Sequence, residues 1–119
     1  MDRITKGVSM TRETINNEYD QIKSKDLGDR ASDFTSESLD RIERSLSNLN
    51  FKIKEGAYDL ENTTREKVDQ FLEEIDMLRD TVRSKRKEIK AKGLQEKSEE
   101  VLENMRNRYD KISSRILKE

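Results

Sequence analysis

Residues 39–89 read LDRIERSLSNLNFKIKEGAYDLENTTREKVDQFLEEIDMLRDTVRSKRKEI, and the spacing of their apolar residues decides the fold class. A helix turns about 100° per residue. At that rotation Leu39, Ile42, Leu46, Leu49, Ile53, Ala57, Leu60, Thr64, Val68, Phe71, Ile75, Leu78, Val82 and Ile89 share one arc about 100° wide. Nothing alternates with period 2, so strands are excluded here. The pattern predicts one amphipathic helix over about 36–92. At 1.5 Å per residue its roughly 57 residues would span roughly 85 Å. The expectation is an all-α, elongated antiparallel bundle or coiled coil built on that central helix.

Between Leu49 and Phe71 the apolar steps run 4-4-3-4-4-3. An eleven-residue repeat of this kind keeps a bundle straight or slightly right-handed. The phase passes through Gly56 unshifted, so Gly56 reads as an interior glycine costing about 1 kcal/mol against alanine.

Two shorter helices flank the central one. Ile4, Val8, Thr11, Ile15, Tyr19 and Ile22 share a narrow arc, predicting a helix over about 2–25. A connection over 26–35 follows, with Asp33, Thr35 or Ser36 able to cap the central helix. At Gly93 the apolar face jumps by about 140° of helical phase. The cations Lys90 and Lys92 precede this glycine and Leu94 follows it, as in a Schellman stop with Leu94 against Ile89. The chain therefore turns at Gly93, and the third helix runs over about 94–118. Its apolar set is Leu94, Ser98, Val101, Met105, Tyr109, Ile112 and Ile116.

Charge order supports the turn independently. Reversal about Gly93 sets Glu96, Glu99, Glu100 and Glu103 beside Arg83, Lys85, Arg86, Lys87 and Lys90. It also sets Arg106, Lys111 and Arg115 beside Glu73, Asp76 and Asp80. Such exposed pairs contribute about 0–1 kcal/mol each, but they select direction and register. Reversal of the first helix near residue 31 sets Glu18 near Arg44 and Lys23 near Asp40.

A single domain over 1–119 is the prior at this length. Charged residues make up 43% and apolar ones 30%, close to the disordered range, yet the net charge is −1 and the apolar residues are periodic. The absence of proline permits long helices. The lack of cysteine rules out a disulfide and is compatible with an intracellular, cytoplasmic setting. No apolar run reaches membrane-span length, and no signal peptide is recognised at the start.

The chemical inventory is short. Without His or Cys, the commonest general base and the usual nucleophile–base pairs are missing. The four glycines are scattered, so no phosphate loop forms. The expectation is no enzyme, no cofactor and no metal site. Glu66, Asp69, Glu73, Asp76 and Asp80 line up along one helix face, which splays ligands rather than converging them.

Three candidate surfaces remain. The central stripe (Leu39, Ile42, Leu46, Leu49, Ile53, Ala57, Leu60, Val68, Phe71, Ile75, Leu78, Val82, Ile89) is a helix-packing and oligomer surface. A rod only two helices thick would leave it half wet, which predicts a homodimer or higher homo-oligomer. Phe51 and Tyr58 lie off the stripe, as a partner patch or a contact between subunits. Arg79, Arg83, Lys85, Arg86, Lys87, Lys90 and Lys92 form a basic cluster able to meet phosphates, or to dress a helix C-terminus and pair with the third helix. No aromatic is interleaved for base stacking, so nucleic acid is disfavoured. The function expected is a non-catalytic structural or adaptor protein that self-associates and binds a protein partner. The alternative is an amphipathic coat on anionic membrane or lipid surfaces, to which the eleven-residue period is similar.

Overall fold

The computed structural model describes residues 3–24, 28–56 and 64–117. Its elements are α1 (Arg3–Ser24), a 3-10 turn (Gly28–Arg30), α2 (Ala31–Lys54), α3 (Arg65–Lys92) and α4 (Ser98–Leu117). No strand occurs among the described residues. The protein is an all-α bundle of four helices, and α3, at 28 residues, is the longest.

Each helix runs antiparallel to its neighbours, and side-chain pairs give the register. Arg41 of α2 donates to Glu18 of α1 at 2.7 Å. Asn50, Ser47 and Glu43 of α2 meet Asp76, Arg79 and Arg83 of α3 in reverse order. Glu96, just before α4, meets Lys85 of α3, and Arg115 of α4 meets Glu74 of α3. The ring closes where Asp110 of α4 lies 3.3 Å from Arg12 of α1.

This architecture corrects the expectation of one helix over 36–92. The chain forms two helices there, packed side by side. Gly56, with φ +72°, ends the helical path just after Lys54. Thr64 is extended (φ −70°, ψ 152°) and its hydroxyl accepts from the Lys67 N–H, so it is the N-cap of α3 rather than part of an apolar stripe. Ala57 and Leu60, assigned to that stripe, lie outside the described residues. The molecule measures 48 × 25 × 19 Å, far shorter than the expected rod.

The eleven-residue repeat was a coincidence of phase across two helices. Within α2 the buried positions Thr35, Leu39, Ile42, Leu46, Leu49 and Ile53 step 4-3-4-3-4. In α3 Val68, Phe71, Ile75, Leu78 and Val82 step 3-4-3-4. Both are the heptad seam of an antiparallel bundle. Val8, Ile15 and Tyr19 of α1 and Val101, Met105 and Tyr109 of α4 complete one continuous core.

The central helix also starts earlier than expected. α2 begins at Ala31, directly after the 3-10 turn, and no side chain caps it. Thr35 is buried inside it, with its hydroxyl 2.7 Å from the Ala31 carbonyl and 2.7 Å from Ser98 Oγ of α4. A residue expected to cap the helix instead joins it to another.

Gly93 does end α3, with φ 78° and ψ 176°. Its N–H donates to the Ile89 carbonyl at 2.8 Å. The stop is not a Schellman loop, because the Leu94 N–H donates across the bundle to Ser32 Oγ of α2. A non-helical connection over 93–97 follows, so α4 starts at Ser98 rather than at 94.

Candidate functional site

The helix-packing stripe is buried wherever it is described. Leu39, Ile42, Leu46, Leu49, Ile53, Val68, Phe71, Ile75, Leu78, Val82 and Ile89 are all core. Four helices from one chain close over them, so the wet stripe that motivated self-association is absent.

The basic cluster is divided between two seams. A helix face repeats every 3–4 residues, so Arg79, Arg83 and Arg86 turn toward α2 while Lys85 turns toward α4. Arg83 Nε lies 3.1 Å from Glu43 Oε2. Arg86 meets both Asp40 and Glu43. Arg79 pairs with Asp76 at 3.2 Å, within α3. Lys85 meets Glu96 and Glu88. Its hydrogen bond to Glu96 raises its pKa above the ordinary lysine value; burial opposes this, and the charges of Glu96 and Glu88 reinforce it. Lys87, Lys90 and Lys92 are exposed on the last turns of α3. Four of the seven cations are thus engaged in ion pairs, and those of Arg83, Arg86 and Lys85 join separate parts of the chain.

Several buried polar residues gave no signal in the apolar periodicity. Glu18 is buried against Arg41. Asn50 is buried and donates to Asp76 Oδ1 at 2.9 Å, while Lys54 approaches the other oxygen at 3.8 Å. Ser113 is buried and accepts from Arg12 at 3.3 Å. Glu18 and Asn50 lie beside the core residues Tyr19 and Leu49, and Ser113 takes the step between Tyr109 and Ile116, so a helical projection that weighted polar and apolar residues alike would have placed them at the seams.

Among the described residues three large apolar side chains remain in solvent: Met10 (57% exposed), Phe51 (59%) and Met77 (65%). Each occupies a different inter-helix groove. Met10 lies between α1 and α2 with Glu13, Asn48 and Lys52. Phe51 lies between α2 and α3 with Arg44, Asn48, Lys54 and Arg79. Met77 lies between α3 and α4 with Glu74, Asp80, Arg108, Lys111 and Ile112. Tyr58, paired with Phe51 in the sequence analysis, lies outside the described residues.

Among the described residues no group of three or more Asp or Glu is arranged to hold a metal ion. No described helix is long and apolar enough to cross a membrane. Comparison of the chain with protein-family models, curated proteins and solved structures finds no match.

Proposed function

We propose that this chain is a non-catalytic structural or adaptor protein that self-associates and binds a protein partner through the outside of its bundle. The observation that carries this reading is the exposure of Met10, Phe51 and Met77 around a core that the chain already closes by itself. Met, aromatic residues and Arg are enriched at protein interfaces relative to the rest of the surface. The chain contains no His and no Cys, and the charged groups on the α2–α3 seam are engaged with one another rather than converging on a ligand.

Sedimentation equilibrium tests the self-association. The expected result is a species of twice 14.1 kDa that grows in with concentration. A mass fixed at one chain up to roughly 100 μM, where weak specific interfaces of about 1,000 Å² are still populated, overturns it. For partner binding, Phe51→Ser is compared with the unaltered chain in capture from the native cell. Loss of specifically retained proteins is expected, and an unchanged set removes Phe51 from the contact.

The lipid-coat reading has less support. Its apolar stripes form the core, so laying them on a membrane means opening the bundle, at a cost on the order of 5–15 kcal/mol for a domain of this kind. Nucleic-acid binding at 79–92 has less still, since Arg79, Arg83, Lys85 and Arg86 sit beside carboxylates.

A further inference from the structure

The α3–α4 groove differs from a merely exposed apolar spot in how its charges are sorted. Its α3 wall carries acids, Glu74 and Asp80, and its α4 wall carries bases, Arg108 and Lys111. Met77, Leu78 and Ile112 lie between the two walls. The Lys85–Glu96 and Glu74–Arg115 pairs set the register of the two helices. Within about one helical turn, Asp80 is then level with Arg108, and Met77 with Ile112.

A face with acids along one edge and bases along the other is complementary to itself. Two copies can meet face to face about a twofold axis lying in the contact plane. If the axis runs parallel to the helices, α3 of one copy lies on α4 of the other at the same height. Asp80 then meets Arg108 and Met77 packs on Ile112, each twice, while Glu74 stays with Arg115 of its own chain. An axis perpendicular to the helices lays α3 on α3 and brings acids together, which costs rather than stabilises.

We propose that the α3–α4 groove is a homodimer surface on which a second copy docks about a twofold axis parallel to the bundle. This rests on the self-association read above and assigns the face and geometry for it. α4 is 20 residues long, about 30 Å, and two packed helices present a face about 18 Å wide. The contact would bury roughly 1,000 Å² over both copies, the lower end for a specific interface. The contact leaves the Phe51 and Met10 grooves open.

Asp80 and Arg108 are both exposed, so each can be reversed without entering the core. The test is sedimentation velocity on Asp80→Lys, on Arg108→Glu, and on their equimolar mixture, with one variant fluorescently labelled. Each variant alone should dimerise at least tenfold more weakly than the unaltered chain. The mixture should recover the dimer, because in the mixed pair Lys at 80 meets Glu at 108 while the native Asp80–Arg108 contact is kept. Strain within a chain is not relieved by mixing, so recovery reports an intermolecular contact.

Several outcomes overturn the proposal. Dimerisation unaltered by either reversal means that self-association stands but uses another face. Tighter dimerisation of Asp80→Lys points to α3 on α3. Weakened variants without recovery on mixing dispose of the twofold pairing. A monomeric unaltered chain removes both this proposal and the self-association beneath it. Met77→Ser, at a position 65% exposed, should also weaken the dimer about tenfold with helicity unchanged; no effect there counts against the groove even if a charge variant folds poorly.

Discussion

Tyr109 of α4 donates a 2.6 Å hydrogen bond to the main-chain carbonyl of Val8 in α1. Its ring is fully buried in the common core, so one side chain ties the last helix to the first through packing and a polar bond. Val8 lies inside α1, where its carbonyl also takes its helical bond, so loss of the hydroxyl does not orphan it. Tyr109→Phe is expected to cost about 1 kcal/mol, and Tyr109→Ala about 3–5 kcal/mol through the cavity left behind. Urea denaturation of both variants checks the gap between them.

The chain reversal between α2 and α3 is open to a direct test. Arg79 Nη1 lies 3.5 Å from Ser47 Oγ. A continuous helix would hold these positions about 48 Å apart, 32 residues at 1.5 Å each. The chain has no native cysteine, so Ser47→Cys/Arg79→Cys forms a clean pair. A reagent of about 10 Å span, close to the interaxial distance of packed helices, should link them within one chain. Absence of that link, read by peptide mapping, would restore the rod.

Gly93 combines φ 78° with ψ 176°, a region essentially confined to glycine. A Cβ there would meet nothing within 4 Å, so the penalty of substitution is backbone strain alone. Gly93→Ala should cost about 1–3 kcal/mol. Thermal melts should show the loss with no change in helical content at low temperature. A neutral Gly93→Ala would mean the connection relaxes freely.

Lys85 gives a pH signature with a definite sign. Its hydrogen bond to Glu96 raises the folded-state pKa above the unfolded one, against opposing burial. The linked stability is fully present below the unfolded lysine pKa of about 10.4 and is lost as pH rises through the folded value. Lys85→Met should flatten the alkaline decline of stability above roughly pH 10 and cost no more than about 1 kcal/mol at pH 7. Denaturation midpoints from pH 7 to 11 provide the comparison, and parallel curves for the two proteins would refute the assignment.

Two phenylalanines should separate core from surface. Phe71 is 2% exposed and Phe51 59%. Phe71→Ala is expected to lose about 3–5 kcal/mol, and Phe51→Ala to change stability by about 0.5 kcal/mol or less. Equal losses would contradict the placement of Phe51 in solvent.

Local periodicity determined the faces of the helices. Ile4, Val8 and Ile15, then Leu39, Ile42 and Leu46, then Phe71, Ile75 and Val82, and finally Val101, Met105 and Tyr109 are core as their phases required. A buried stripe must repeat with the helical turn whatever it packs against. The end of α3 at Gly93 and the Lys85–Glu96 pairing were legible for the same reason: residues near a tight turn meet whatever the distant chain does. The same reasoning placed Arg83 and Arg86 against α4, and they turned to Glu43 and Asp40 of α2 instead, because the partner helix was invisible in the local pattern.

Tertiary packing alone decided whether 36–92 was one helix or two. Phase records which way a side chain points, and it continued unshifted across the break between Lys54 and Arg65. The local signals against a single helix, Gly56 and the cap at Thr64, involve only about 1 kcal/mol each. Folding α2 onto α3 buries Leu39, Ile42, Leu46, Leu49 and Ile53 against Val68, Phe71, Ile75, Leu78 and Val82. At about 1.5–3 kcal/mol per buried large apolar side chain, that term far exceeds the cost of interrupting a helix. It arises between residues 15 to 43 positions apart, where a pattern read along the chain carries no information about who meets whom.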